Sequence, residues 1–149
     1  MFGCEDGLVS TTGSIVGIAV GSDDGRVVAM AGIVLVAVEA VSMGAGQLLS
    51  ERAVHQLEPG HGDSIVVGAI LMAVAYLLAG LVPLGPILVA RSVEVVPFSV
   101  VLALVALGIL GVVKAHFVGV RRLRSAVEVL LVGGTACAVG ILAGLVFRV

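Results

Sequence analysis

The sequence predicts an all-α fold, a polytopic helical membrane protein with five transmembrane helices. Composition is the first reason. Of 149 residues, 60% are hydrophobic and 12% charged, whereas a soluble domain averages about 45–50% apolar and about 25% charged. A soluble fold of this size would need far more polar surface, so the excess apolar surface faces the lipid bilayer. Segmentation is the second reason. A spanning helix takes about 20 mostly apolar residues, and five apolar runs alternate here with polar or proline-bearing breaks. They form a single transmembrane domain with spans at about 7–20, 27–50, 65–82, 97–113 and 126–147. The net charge of −2 is close enough to zero to argue against nucleic acid as a partner.

The first span, from about Gly7 to Val20, is short and rich in hydroxyls at Ser10, Thr11, Thr12 and Ser14. Gly13, Gly17 and Gly21 repeat every four residues, a spacing that lets helix backbones approach closely in lipid. The stripe serves packing, either within one subunit or between two. No basic segment precedes this span and no clear cleavage site follows it, so it is expected to stay rather than act as a signal peptide. Gly21 to Arg26 is a turn built on Asp-Gly.

The second span, Val27 to Ser50, carries Glu39 near its middle. Glu51 to Ser64 is the longest polar segment and is broken by Pro59-Gly60. The third span begins at Ile65 and is predicted to end near Val82. Pro83 and Pro86 lack the backbone donor and crowd the preceding turn. Ala90 to Val96 is a short loop, and Pro97 suits the first turn of the fourth span, which runs to about Val113. Lys114 to Arg124 is a basic loop. The fifth span, Ala126 to Phe147, has small faces at Gly133, Gly134, Gly140 and Gly144. Cys4 and Cys137 have no paired spacing and read as packing residues.

Five spans put the two termini on opposite sides. The loops after the second and fourth spans hold Arg52, Lys114, Arg121, Arg122 and Arg124, against Arg26, Arg91 and Arg148 on the other side. Positive charge gathers on the cytoplasmic side, so the N-terminus is expected there. A single lysine beside seven arginines suggests GC-rich coding, and with it the cytoplasmic membrane of a bacterium.

The chemistry centres on Glu39. A carboxylate deep in a bilayer costs at least a few kcal/mol, so it faces a bundle interior or a pathway. Met43 and Gln47 follow at four-residue steps and extend one helical column. Asp6 sits at the cytoplasmic end of the neighbouring span, where it serves either as a ligand or as a helix cap. Carboxylate oxygens suit hard ions and thioether sulfur softer ones. The set Asp6, Glu39 and Met43 therefore fits a borderline divalent metal such as Fe²⁺, with manganese, cobalt and zinc as neighbours, although Met43 alone also reads as packing. Glu39, which resists standing empty and charged, would hold either a proton or a metal, and metal binding would release the proton. Glu51, His55, Glu58 and His61 form a secondary set that either gathers metal at the cytoplasmic mouth or is a solvated loop. Glu128 pairs with Arg124 one turn away, and Tyr76 and Met72 read as packing. No nucleophile with a base, no phosphate loop and no metal-hydrolase motif is present, so no enzyme chemistry is expected.

These residues resemble the vacuolar iron transporter family. The opening GCEDGLVSTTG is similar to its first-span motif, AVSMGAGQLLSERA to its second, and GLVPLGPIL to its third-span ending with two prolines. The resemblance implies a five-span homodimer with the pathway between subunits. It implies a transporter that moves Fe²⁺, and often Mn²⁺, out of the cytosol in exchange for protons, with no resident cofactor. Asp6 and Met43 match the family's pathway aspartate and methionine. The chain departs at Glu5, where asparagine is common, at Leu35, where some relatives carry a carboxylate, and at Gln47, where many have glutamate. Five residues precede Asp6, where relatives carry a longer amphipathic segment. The Glu-rich metal-gathering insertion after the second span is replaced by Glu51 to Ser64, a short form. Two other functions fit the same column: a proton- or cation-conducting pore, or a non-transporting membrane scaffold or sensor.

Overall fold

A computed structural model describes residues 1–57, 64–119 and 121–148. Five long helices follow one another: α1 (Phe2–Ser22), α2 (Gly25–Leu57), α3 (Ile65–Ala90), α4 (Val96–Val118) and α5 (Arg122–Val146), with a single 3₁₀ turn at Val93–Val95 before α4. Among the described residues, α2, α3, α4 with its leading turn, and α5 are long and apolar enough to cross a membrane. Their outer faces carry large exposed side chains such as Leu71, Leu78, Leu131 and Leu142, which suits lipid contact.

α1 is the centre of the bundle. Its 21 residues reach about 32 Å at 1.5 Å per residue, enough for a hydrocarbon core of about 30 Å. It packs on all four other long helices, most extensively on α5 and α3. Because neighbours cover most of it, α1 needs no apolar belt, and Thr11 and Thr12 are fully buried. Two clusters fill the bundle. Ile15, Val28, Val36, Leu84 and Ile87 pack towards the α1–α2 turn, and Leu8, Ala79, Leu107 and Val129 pack towards the opposite end.

The glycine stripe is used within the chain. A Cβ on Gly13 would lie 2.8 Å from the Ala136 carbonyl oxygen, and one on Gly17 would lie 2.7 Å from that of Gly140. α1 and α5 therefore meet backbone to backbone. Lipid supplies no hydrophobic drive between helices, so such close packing is what holds them together.

Several boundaries differ from expectation. α1 begins at Phe2, five residues before Gly7. α3 does not stop at Pro83 but runs through Pro83 and Pro86 to Ala90. Pro83, Leu84 and Ile87 are all buried against the bundle, and neighbouring helices offset a break that would stand alone in water. α2 continues through Glu51 to Leu57, since no breaker precedes Pro59. The basic stretch is mostly helical: Lys114 to Val118 belong to α4 and Arg122 onward to α5. Gly119, at φ +76, closes α4 with its N–H on the Ala115 carbonyl at 3.0 Å.

Candidate metal-binding layer

The α1–α2 turn sets the depth of the candidate ligands. Asp23 adopts a left-handed conformation at φ 51. Asp24 Oδ1 accepts the Arg26 N–H at 2.8 Å and starts α2 immediately. The turn is therefore only two residues long, and the two helices run antiparallel from a common level. Counting at 1.5 Å per residue, Asp6 lies about 24 Å and Glu39 about 21 Å from that turn. Asp6 lies inside α1, whose N-cap is Met1, so it is not the helix cap that the sequence also allowed, and it shares one layer with Glu39 rather than lying below it.

α3 closes this layer. It runs parallel to α1, with Met72 over Gly3, Tyr76 over Gly7 and Gly80 against Thr11. It runs antiparallel to α2, with Ala69 against Gly44 and Gly80 against Val36, which places Tyr76 opposite the Glu39–Ala40 turn. Tyr76 is fully buried. Ser10 Oγ donates to the Asp6 carbonyl at 2.7 Å and also lies 2.5 Å from the Tyr76 hydroxyl. Serine has one proton to give, so the tyrosine donates to Ser10 and keeps its oxygen as an acceptor.

Asp6, Glu39 and Met43 are all half-buried. Met43 lies one turn from Glu39, away from the α1–α2 turn. Gln47, a further turn along the same column, donates its Nε2 to Glu51 Oε1 at 2.9 Å. Glu51 and His55 are exposed on the last turns of α2, whereas Glu58 and His61 lie outside the described residues. Among the described residues, no three His, Cys, Asp or Glu side chains converge on one point. One chain thus carries two carboxylates and, one turn further along α2, a thioether near the level of Tyr76.

Beside this layer a groove of about 840 Å³ opens between α2 and α5, floored by α1. Ser10, Ser14, Leu35, Thr135, Val139 and Ala143 are among its walls. The sequence reading missed Ser10 and Tyr76. The signal was there: a buried tyrosine hydroxyl needs a partner, and this is the only tyrosine of the chain. It also missed that Lys114 Nζ reaches Glu5 Oε1 at 3.0 Å across α4 and α1. The Arg124–Glu128 pair forms as expected, at 2.9 Å.

A family model described as the VIT family matches residues 1–63 and 51–145. The chain belongs to this family. VIT membership and the apolar helices make it an integral membrane protein. It is 44% identical over 71 residues to "Vacuolar iron transporter 1" of Arabidopsis thaliana, covering 47% of this chain and 28% of that protein. It is 42% identical over 73 residues to the protein of the same name from Eucalyptus grandis, again covering 47% of this chain and 28% of the other. The matched region thus spans little more than a quarter of those VIT relatives.

Proposed function

We propose that this protein carries a divalent metal ion, Fe²⁺ foremost and Mn²⁺ next, out of the cytosol in exchange for protons. The observation that carries this reading is the shared layer of Asp6 and Glu39 beside the buried Tyr76 hydroxyl. VIT membership and the iron-transporter names of the two plant relatives support it. The ion enters from the N-terminal side, which in this reading is cytoplasmic by the distribution of Lys and Arg. On its arrival the Glu39 proton leaves, because the metal and the proton compete for the same oxygens. The ion departs on the far side when a proton returns to Glu39. Asp6 shares the ion's charge, and Met43 biases the site towards softer ions than Mg²⁺. Glu51 and His55 on the exposed end of α2 gather metal at the entrance.

The working unit in this reading is a homodimer, with the groove between α2 and α5 as the seat of the second copy. Ser10 lies on both the groove wall and the Asp6–Tyr76 layer. Two such layers facing each other would double the donors that one chain supplies.

Flux measurements on proteoliposomes test the reading. With an acidic lumen, Fe²⁺ should accumulate inside while the lumen turns alkaline. Metal movement without a pH change would make the protein a uniporter or pore, and no movement of any divalent ion would leave it a scaffold or sensor.

A further inference from the structure

The ion pair between α1 and α4 stands directly beside the proposed entrance. Glu5 precedes Asp6 in α1, so their Cα atoms are about 3.8 Å apart. Successive residues on a helix point about 100° apart, and the contacts show where each goes. Glu5 meets Lys114 of α4, whereas Asp6 lies one turn before Ser10 on the same face of α1, the face whose Ser10 hydroxyl meets Tyr76. Lys114 Nζ is 3.0 Å from Oε1 of Glu5 and 3.2 Å from Oε2. Oε1 is fully buried with no hydrogen bond of its own, so the ammonium is what compensates its charge. The Glu5 side chain is 20% exposed and that of Lys114 41%, so solvent screens this pair less than one on the surface.

We propose that Lys114 sets the charge of the entrance: it cancels Glu5 and turns it towards α4, so that an arriving cation meets Asp6 alone. This rests on the transport function proposed above. Without Lys114, two adjacent carboxylates would face the ion, which would be captured more tightly and released more slowly. Without Glu5, the ammonium would stand uncompensated at the same mouth and repel the ion. The two deletions therefore have opposite signs, which a merely structural tether would not produce.

Initial rates of Fe²⁺ or Mn²⁺ uptake into proteoliposomes, measured against metal concentration, test this on Lys114→Gln, Glu5→Gln, the double variant and Lys114→Arg. Lys114→Gln should lower KM and also lower the maximal rate. Glu5→Gln should raise KM. Each change should be roughly 3- to 10-fold, the size expected of one unit charge within a Debye length of a divalent ion. The double variant and Lys114→Arg should return KM to near the wild-type value. KM shifts of the same sign in both single variants, or none in either, would overturn the proposal. Should Lys114→Gln fail to insert, Glu5→Gln decides alone: a raised KM supports the proposal, and an unchanged or lowered one overturns it. A wild-type protein that moves no divalent ion overturns the transport function itself, and this inference with it.

Discussion

The Ser10 and Tyr76 hydroxyls, 2.5 Å apart, join α1 to α3 at the level of Asp6 and Glu39. Ser10 passes its own proton to the Asp6 carbonyl, so the contact fixes the turn of α1 that carries the aspartate. Tyr76→Phe keeps the ring and the packing but removes the donor. It should lower stability by about 1 kcal/mol, read as a small fall in detergent melting temperature. Metal flux should fall by far more than that change implies. Unaltered flux would leave Tyr76 a packing residue.

Glu39→Gln keeps shape and hydrogen bonding but removes the site that holds proton or metal in turn. Lumen alkalisation driven by metal entry should disappear while the protein still inserts and assembles. Because Asp6 shares the layer, Asp6→Asn should slow metal flux as well. Exchange at the normal rate with normal pH dependence in Glu39→Gln would move the exchange site to Asp6.

Met43→Leu conserves volume, so a substitution of this kind should cost under about 1.5 kcal/mol. Loss of the thioether should narrow the preference for Fe²⁺ over Mn²⁺ in competition uptake. A preserved ratio would assign Met43 to packing.

Gly17 faces the Gly140 carbonyl with no room for a Cβ. Gly17→Leu should force α1 and α5 apart, and overpacking of this kind costs typically about 1–3 kcal/mol. The expected result is loss of the folded monomer, seen as a lower melting temperature and poor recovery from detergent. A stable monomer that only fails to dimerise would show that the stripe is not an internal seam.

Thr135 is exposed on the groove wall of α5, and its hydroxyl donates within its own helix to the Val132 carbonyl, 2.7 Å away. Thr135→Trp should fill part of the groove and leave the fold alone. If the groove seats a second copy, cross-linking should report monomers with reduced flux. An intact, active dimer would place the subunit contact elsewhere.

Composition and segmentation were enough to reach a five-helix membrane protein. In lipid every backbone polar group must be satisfied within the helix, so an apolar run of sufficient length has few alternatives. Glu39 stood out as a candidate for a related reason, since a carboxylate in such a run is costly. What sequence order could not decide was lateral placement and relative depth. The Gly13–Gly17–Gly21 stripe fits any close-packed neighbour equally well, and only the seam with Gly140 assigns it to α5. Pro83 and Pro86 are local breakers, and only the burial of Leu84 and Ile87 around them shows why α3 continues. The common layer of Asp6, Glu39 and Tyr76, and the reach of Lys114 to Glu5, join residues tens of positions apart. Periodicity tells which face of a helix a residue occupies, whereas the two-residue turn and the α1–α3 register decide what that face meets.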